Sequence, residues 1–121
     1  MAQKSILVAE DDAVLRSLYV KKFEVAGYRV RIAADGDEAA KEIEKEAPDL
    51  LILDIHMPKL DGFQVMERFP KASRKFPIVL LTNFDQMDFK LKGSEMGAED
   101  YFVKKDMTIR TLLEKVQKLI G

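Results

Sequence analysis

The chain contains no cysteine, no tryptophan and a single histidine. The lack of cysteine excludes disulfides, thiolate metal centres, iron–sulfur clusters and cysteine nucleophiles, and it fits a reducing compartment. No apolar run approaches the ~18–20 residues that a membrane span needs. The longest, Leu50–Leu53 with Ile55 beyond Asp54, has only strand length. Charge of one sign is lacking as well: 20 basic and 21 acidic residues leave a formal net charge of −1. Such a balance gives no whole-chain field toward nucleic acid or anionic lipid. The start, Met1-Ala2-Gln3-Lys4, has neither the apolar stretch nor the cleavage site of a secretory signal. No repeat, low-complexity tract or interdomain linker interrupts the sequence. What remains is 121 residues, 47% apolar and 34% charged. They are expected to form one domain over residues 1–121, soluble, unprocessed and cytoplasmic, with nothing inserted in a membrane.

Five short apolar runs punctuate the chain: Ile6–Ala9, Arg29–Ala33, Leu50–Leu53, Ile78–Leu81 and Tyr101–Val103. Four show little alternation, which suits strands buried on both faces of a parallel sheet. Arg29-Val30-Arg31-Ile32 does alternate, as an edge strand with one wetter face would. Between the runs lie helical periodicities. One begins at Ala13, with Asp12 as its cap and Gly27 just past its end. Others span Asp35–Ala47, Gly62–Phe69, Asp85–Met96 and Thr108–Ile120. Strand and helix alternate five times, so the expected class is α/β: a parallel sheet joined by right-handed crossovers, with helices on both faces. The last helix runs to Gly121, so an output domain would be another chain or lie beyond these residues.

In such a sheet, ligands sit beyond the carboxyl ends of the strands, where the strand order reverses. After the first run stand Glu10-Asp11-Asp12; the third ends in Asp54, followed by Ile55-His56-Met57-Pro58; the fourth ends in Thr82-Asn83; the fifth leads into Lys104-Lys105. If strands 1 and 3 are neighbours, Glu10, Asp11 and Asp54 converge. At ~5 Å and an effective dielectric near 20, each carboxylate pair would cost roughly 3 kcal/mol. A divalent cation relieves that repulsion, and an all-oxygen donor set selects a hard ion such as Mg²⁺. Lys104 and Thr82 are not needed for the ion but suit a phosphoryl group beside it. Asp12 is expected to do no more than cap its helix, Lys105 to be solvated, and His56, alone in a polar loop, to be solvated too.

Together these residues resemble the receiver domains of two-component response regulators, including the chemotaxis response regulator, a standard example of the flavodoxin-like order. The resemblance rests on Ile6–Asp11, on Leu51-Ile52-Leu53-Asp54-Ile55-His56-Met57-Pro58 with Asp61-Gly62, on Leu81-Thr82, and on Gly97-Ala98 through Asp100-Tyr101-Phe102-Val103-Lys104. It covers nearly the whole chain. It implies a doubly wound five-stranded parallel sheet of order 2-1-3-4-5. It also implies a phosphorylation-dependent switch rather than an enzyme acting on a separate substrate. Asp54 would be the phosphoacceptor, fed by a histidine kinase, a histidine phosphotransfer protein or a small phosphodonor. Asp11, Asp54 and the His56 backbone carbonyl would bind Mg²⁺ directly, and Glu10 mostly through water. Lys104 and the Asn83 N–H would contact the phosphoryl group. Thr82 would sense it, and Tyr101 would turn inward as Thr82 moves, sending output through the helix 4–strand 5–helix 5 face.

Two positions depart from the pattern. Lys105 stands where a proline is common, and Asn83, followed by Phe84, where a small residue is common. Glu114 replaces an arginine of the subgroup that dimerises through helices 4 and 5, so a monomer or weak dimer is expected, with no direct nucleic acid binding. Apolar Phe84, Met87, Phe89 and Leu91 crowd helix 4, more than one buried face needs, and would leave some for a protein partner. Other classes fit less well. A haloacid-dehalogenase-type phosphatase wants a second aspartate two residues after the first, where His56 stands. A flavodoxin would place a flavin phosphate against Glu10-Asp11-Asp12, which would repel it. A pseudo-receiver, acting as a phosphate-independent interaction module, is the alternative; its mark would be a lost Asp54, Lys104 or acid pair, and all are present.

Overall fold

The computed structural model describes residues 3–121; Met1 and Ala2, part of the N-terminal reading, lie outside the described residues. The element order is β1 (Ser5–Ala9), α1 (Ala13–Val25), β2 (Arg29–Ala33), α2 (Gly36–Lys45), β3 (Leu50–Asp54), α3 (Gly62–Arg68), β4 (Ile78–Thr82), α4 (Met87–Glu95), β5 (Asp100–Val103), a 3₁₀ turn (Lys104–Asp106) and α5 (Ile109–Ile120). All strand pairs are parallel, in the order β2-β1-β3-β4-β5. The α/β class, the helices on both faces and the flavodoxin-like order are as the sequence implied.

The three central strands are buried along their whole length. Because successive side chains point to opposite faces, each unbroken run feeds two cores. Leu7, Leu51, Leu53, Ile78 and Leu80 pack with Ala39 and Ile43 of α2 and Phe63, Val65 and Met66 of α3; Phe89 of α4 joins from the margin. Ile6, Val8, Leu50, Ile52, Val79 and Leu81 pack with Tyr19 and Phe23 of α1 and Leu112 and Val116 of α5. At ~25 cal/mol per Å² of apolar surface removed from water, each buried leucine or isoleucine contributes about 1.5–3 kcal/mol.

β1 is flanked by β2 and β3. The chain leaves β1 toward α1 on one face and leaves β3 toward α3 on the other. The connections therefore diverge and open a crevice beyond the ends of β1 and β3. α3 begins tight against its floor. The Gly62 N–H donates to the Ile55 carbonyl at 2.8 Å, and a Cβ on Gly62 would lie 2.7 Å from the Asp54 carbonyl oxygen. Asp61 and Gln64 close a capping box that fixes this start.

Two local expectations change. β5 is half-exposed throughout rather than buried on both faces, because it is an edge strand with only β4 as neighbour. α4 starts at Met87, two residues later than Asp85, and its N-cap Gln86 makes no side-chain capping bond. Beyond β5, Lys104 and Lys105 enter a 3₁₀ turn with no proline, and the Met107 N–H reaches the Lys104 carbonyl at 3.4 Å.

Candidate functional site

The side chains at the strand ends meet. Glu10, Asp11 and Asp54 each bring a carboxylate oxygen within 4.8 Å of the others. Glu10 and Asp54 are buried, at 0% and 1% exposure, whereas Asp11 faces solvent. The Lys104 ammonium stands between the two buried acids, 2.6 Å from Glu10 Oε1 and 2.9 Å from Asp54 Oδ2. The His56 N–H donates to Asp54 Oδ1 at 3.0 Å. On the far side, the Arg16 guanidinium, one turn into α1, donates to the Glu10 carbonyl at 2.8 Å. Asp12 caps α1, accepting from the Val14 and Leu15 N–H groups at 2.9 and 3.1 Å.

Two buried carboxylates share one ammonium, so the cluster carries excess negative charge. Burial pushes the Glu10 carboxyl up to about 7; the neighbouring Asp54 adds to the rise and Lys104 opposes it. Burial works against the charge on Lys104 too, but its bonds to Glu10 and Asp54 prevail and hold its pKa above the ordinary lysine value. Burial, helped by the negative field of Glu10, raises the Tyr19 phenol to about 12. Three carboxylates with no nitrogen or sulfur donor form a hard donor set that fits Mg²⁺ rather than a softer metal.

Thr82, fully buried at the end of β4, anchors a second group. Its Oγ1 accepts the Phe84 N–H at 3.1 Å and lies 3.1 Å from His56 Nε2. The Tyr101 hydroxyl donates to the Phe84 carbonyl at 3.3 Å. Burial raises the Tyr101 pKa, while the facing Thr82 hydroxyl opposes the rise. Asn83 is exposed. So are Phe84, Met87 and Leu91, whereas Phe89 is partly buried.

The expected solvated His56 is corrected. Its ring is half-buried, edge-on to Phe84 at 4.9 Å and tilted against Phe89 at 5.4 Å. The sequence held a signal for this contact: His56 follows β3 by two residues and Phe84 follows β4 by two, and neighbouring parallel strands bring such positions together. Arg16 was also missed, although it stands in the first turns of a helix that starts beside Glu10.

Comparison with known proteins gives a consistent picture. Residues 6–117 match the family described as response regulator receiver domain. The alkaline phosphatase synthesis transcriptional regulatory protein PhoP of Bacillus subtilis is 43% identical over 84% of this chain and 42% of its own length. A probable transcriptional regulator, ycf27, of Porphyridium aerugineum is 38% identical over 98% of this chain and 51% of its own. The chain thus spans about half the length of these curated relatives. Among solved structures, the receiver domain of the Francisella response regulator 1452 superposes with a TM-score of 0.91, at 30% identity, covering 98% of this chain and 97% of that one.

Proposed function

The chain belongs to the response regulator receiver domain family, and from that premise we propose that it is a switch thrown by phosphorylation of Asp54, with residues 1–121 acting as a single receiver unit. One observation carries the proposal: a lysine ammonium clamped between two buried carboxylates, at the switch point of the sheet, with a third carboxylate in reach. The Asp54 carboxylate is the nucleophile and attacks the donor phosphorus in line, so that the donor's bond to phosphorus breaks as the acyl phosphate bond forms. Asp11, Asp54 and the His56 carbonyl would hold Mg²⁺, with Glu10 acting mostly through water; the ion would neutralise charge on the phosphoryl oxygens. Lys104 leaves its carboxylate partners to reach one phosphoryl oxygen. The Asn83 N–H reaches another, and the Thr82 hydroxyl a third.

The donor is a phosphohistidine of a histidine kinase or phosphotransfer protein, or a small acyl phosphate. Phosphorylation adds ≈ −1.5 to −2 charge at a buried edge. Thr82 and Tyr101 carry that event to α4, β5 and α5, where exposed Phe84, Met87 and Leu91 await a protein partner. A complete flip from 1:99 to 99:1 takes about 5.5 kcal/mol of differential stabilisation.

Balanced charge supports output through protein contacts rather than direct nucleic acid binding by these residues. Among the described residues no helix is long and apolar enough to cross a membrane, and we place the protein in the cytoplasm. Glu114 faces Arg110 on its own helix, 3.7 Å away, which supports a monomer or weak dimer. Intact mass after acetyl phosphate and Mg²⁺ tests the proposal. Wild type should gain one phosphoryl group and Asp54→Asn none; an unmodified wild type, or equal gain in the variant, would refute it.

A further inference from the structure

Thr82 has one hydroxyl proton to give, and a phosphoryl oxygen can only accept. Where that proton rests before phosphorylation therefore sets how readily Thr82 can move. The Phe84 N–H already donates to Thr82 Oγ1 at 3.1 Å, so the proton points elsewhere. His56 Nε2 stands in hydrogen-bonding geometry with it, at 3.1 Å; the Tyr101 oxygen also faces the hydroxyl. Tyr101, on the same side, donates its own proton to the Phe84 carbonyl. Thr82 is fully buried, and a buried hydroxyl without an acceptor is costly. Satisfying it assigns the proton to Nδ1 of His56 and leaves Nε2 as the acceptor.

The imidazole is also held in place. Phe84 meets it at 88° with centroids 4.9 Å apart, and Phe89 of α4 packs on it at 5.4 Å. Phe89 in turn rests on Phe63 of α3 at 5.9 Å. The ring has little room to follow Thr82 toward Asp54.

We propose that the His56 side chain is a latch on Thr82: its Nε2 holds the hydroxyl proton that the phosphoryl oxygen needs, so that every switching event must first break the His56–Thr82 bond. His56 is thus a positioning residue acting through Thr82, separate from any role of its backbone carbonyl. The latch favours the unphosphorylated arrangement and weakens the response to the phosphoryl group. It rests on the receiver function proposed above.

The experiment measures binding of beryllofluoride, an acyl phosphate mimic, with Mg²⁺ in excess. It compares wild type, His56→Phe, Thr82→Val and the double variant, with intact mass after acetyl phosphate run alongside. His56→Phe keeps an aromatic ring between Phe84 and Phe89 but removes the acceptor. It should bind beryllofluoride about fivefold tighter, the factor for losing one ordinary hydrogen bond from the competing state. In the Thr82→Val background, where no hydroxyl is left to hold, His56→Phe should change nothing. A merely structural role for His56 would give the same change in both backgrounds and would overturn the latch. So would an affinity for His56→Phe within twofold of wild type. Should the phenylalanine not fit, His56→Leu must give the same pattern, and its failure counts equally. A wild type that takes up no phosphoryl group refutes the receiver function and the latch with it; phosphorylation without coupling refutes the latch alone.

Discussion

Replacing Lys104 by methionine tests the electrostatics of the site most sharply. The substitution keeps an unbranched side chain of similar volume but removes the ammonium between Glu10 and Asp54, and with it contacts of 2.6 and 2.9 Å. Removing one partner of a buried ion pair costs about 3–5 kcal/mol, because the other charge is left without compensation. Here two acids are left, at 0% and 1% exposure. Glu10 limits the damage by taking up a proton, since its pKa of about 7 rises further once Lys104 no longer opposes burial. The lower end, ~3 kcal/mol, is therefore expected. For a domain of this length, 1 kcal/mol moves Tm by ~4 °C, so metal-free Lys104→Met should melt ~12 °C below wild type. Mg²⁺ at 100 times its Kd would stabilise any binder by ≈ 2.7 kcal/mol. In the variant the ion meets no competing ammonium, so its Kd should fall and the rise in Tm exceed that of wild type. Circular dichroism melts with and without Mg²⁺ at about pH 8, where Glu10 of the wild type is mostly ionised, measure both. A metal-free drop under ~3 °C, or the same Mg²⁺ increment in both proteins, would show that Lys104 does not neutralise these acids.

Glu10 makes the metal-free protein pH-sensitive. Its folded-state pKa is raised from 4.5 to about 7, so the folded chain holds a proton that the unfolded chain releases. That stability is fully present below pH 4.5 and is lost as pH rises through about 7. Melts without Mg²⁺ should show this decline, Glu10→Gln should flatten it, and equal slopes would contradict the assignment. Mg²⁺ affinity should rise across the same window as the proton leaves. Asn83→Ala should shorten the phosphoryl lifetime several-fold by opening a path for water beside Phe84; unchanged decay of the phosphorylated mass would count against this. Gly62→Ala puts a Cβ 2.7 Å from the Asp54 carbonyl oxygen and should cost about 1–3 kcal/mol in urea unfolding while slowing phosphorylation. A variant as stable and as reactive as wild type would show that α3 does not brace the end of β3.

The fold was legible because Ile6–Ala9, Leu50–Leu53 and Ile78–Leu81 have no polar alternation, and only strands covered on both faces tolerate that. Alternation at Arg29–Ile32 marked an edge. The other edge was missed because Tyr101-Phe102-Val103 is apolar throughout although half-exposed; Tyr101 turns its polar end to the Phe84 carbonyl and Phe102 packs only on the margin of the core. Convergence of Glu10, Asp11, Asp54 and Lys104 followed from placing each acid or base just past a strand end. Of the His56 contacts, the one with Phe84 was open to the same placement and was passed over; those with Thr82 and Phe89 depend on how the ring turns within its loop. A lone histidine between Ile55 and Met57 carries no periodicity to reveal a partner 26 residues away. The helical pattern from Asp85 runs two residues ahead of α4, whose N-cap Gln86 makes no side-chain capping bond to mark the start.

Borohydride converts an acyl phosphate on aspartate to homoserine, so it marks the acceptor covalently. Wild-type protein treated with acetyl phosphate and Mg²⁺, reduced with borohydride and mapped by peptide mass spectrometry should carry homoserine at position 54. Homoserine at Asp11, Asp61 or any other acid, or at none, would contradict the assignment of Asp54 as the residue through which this chain is switched.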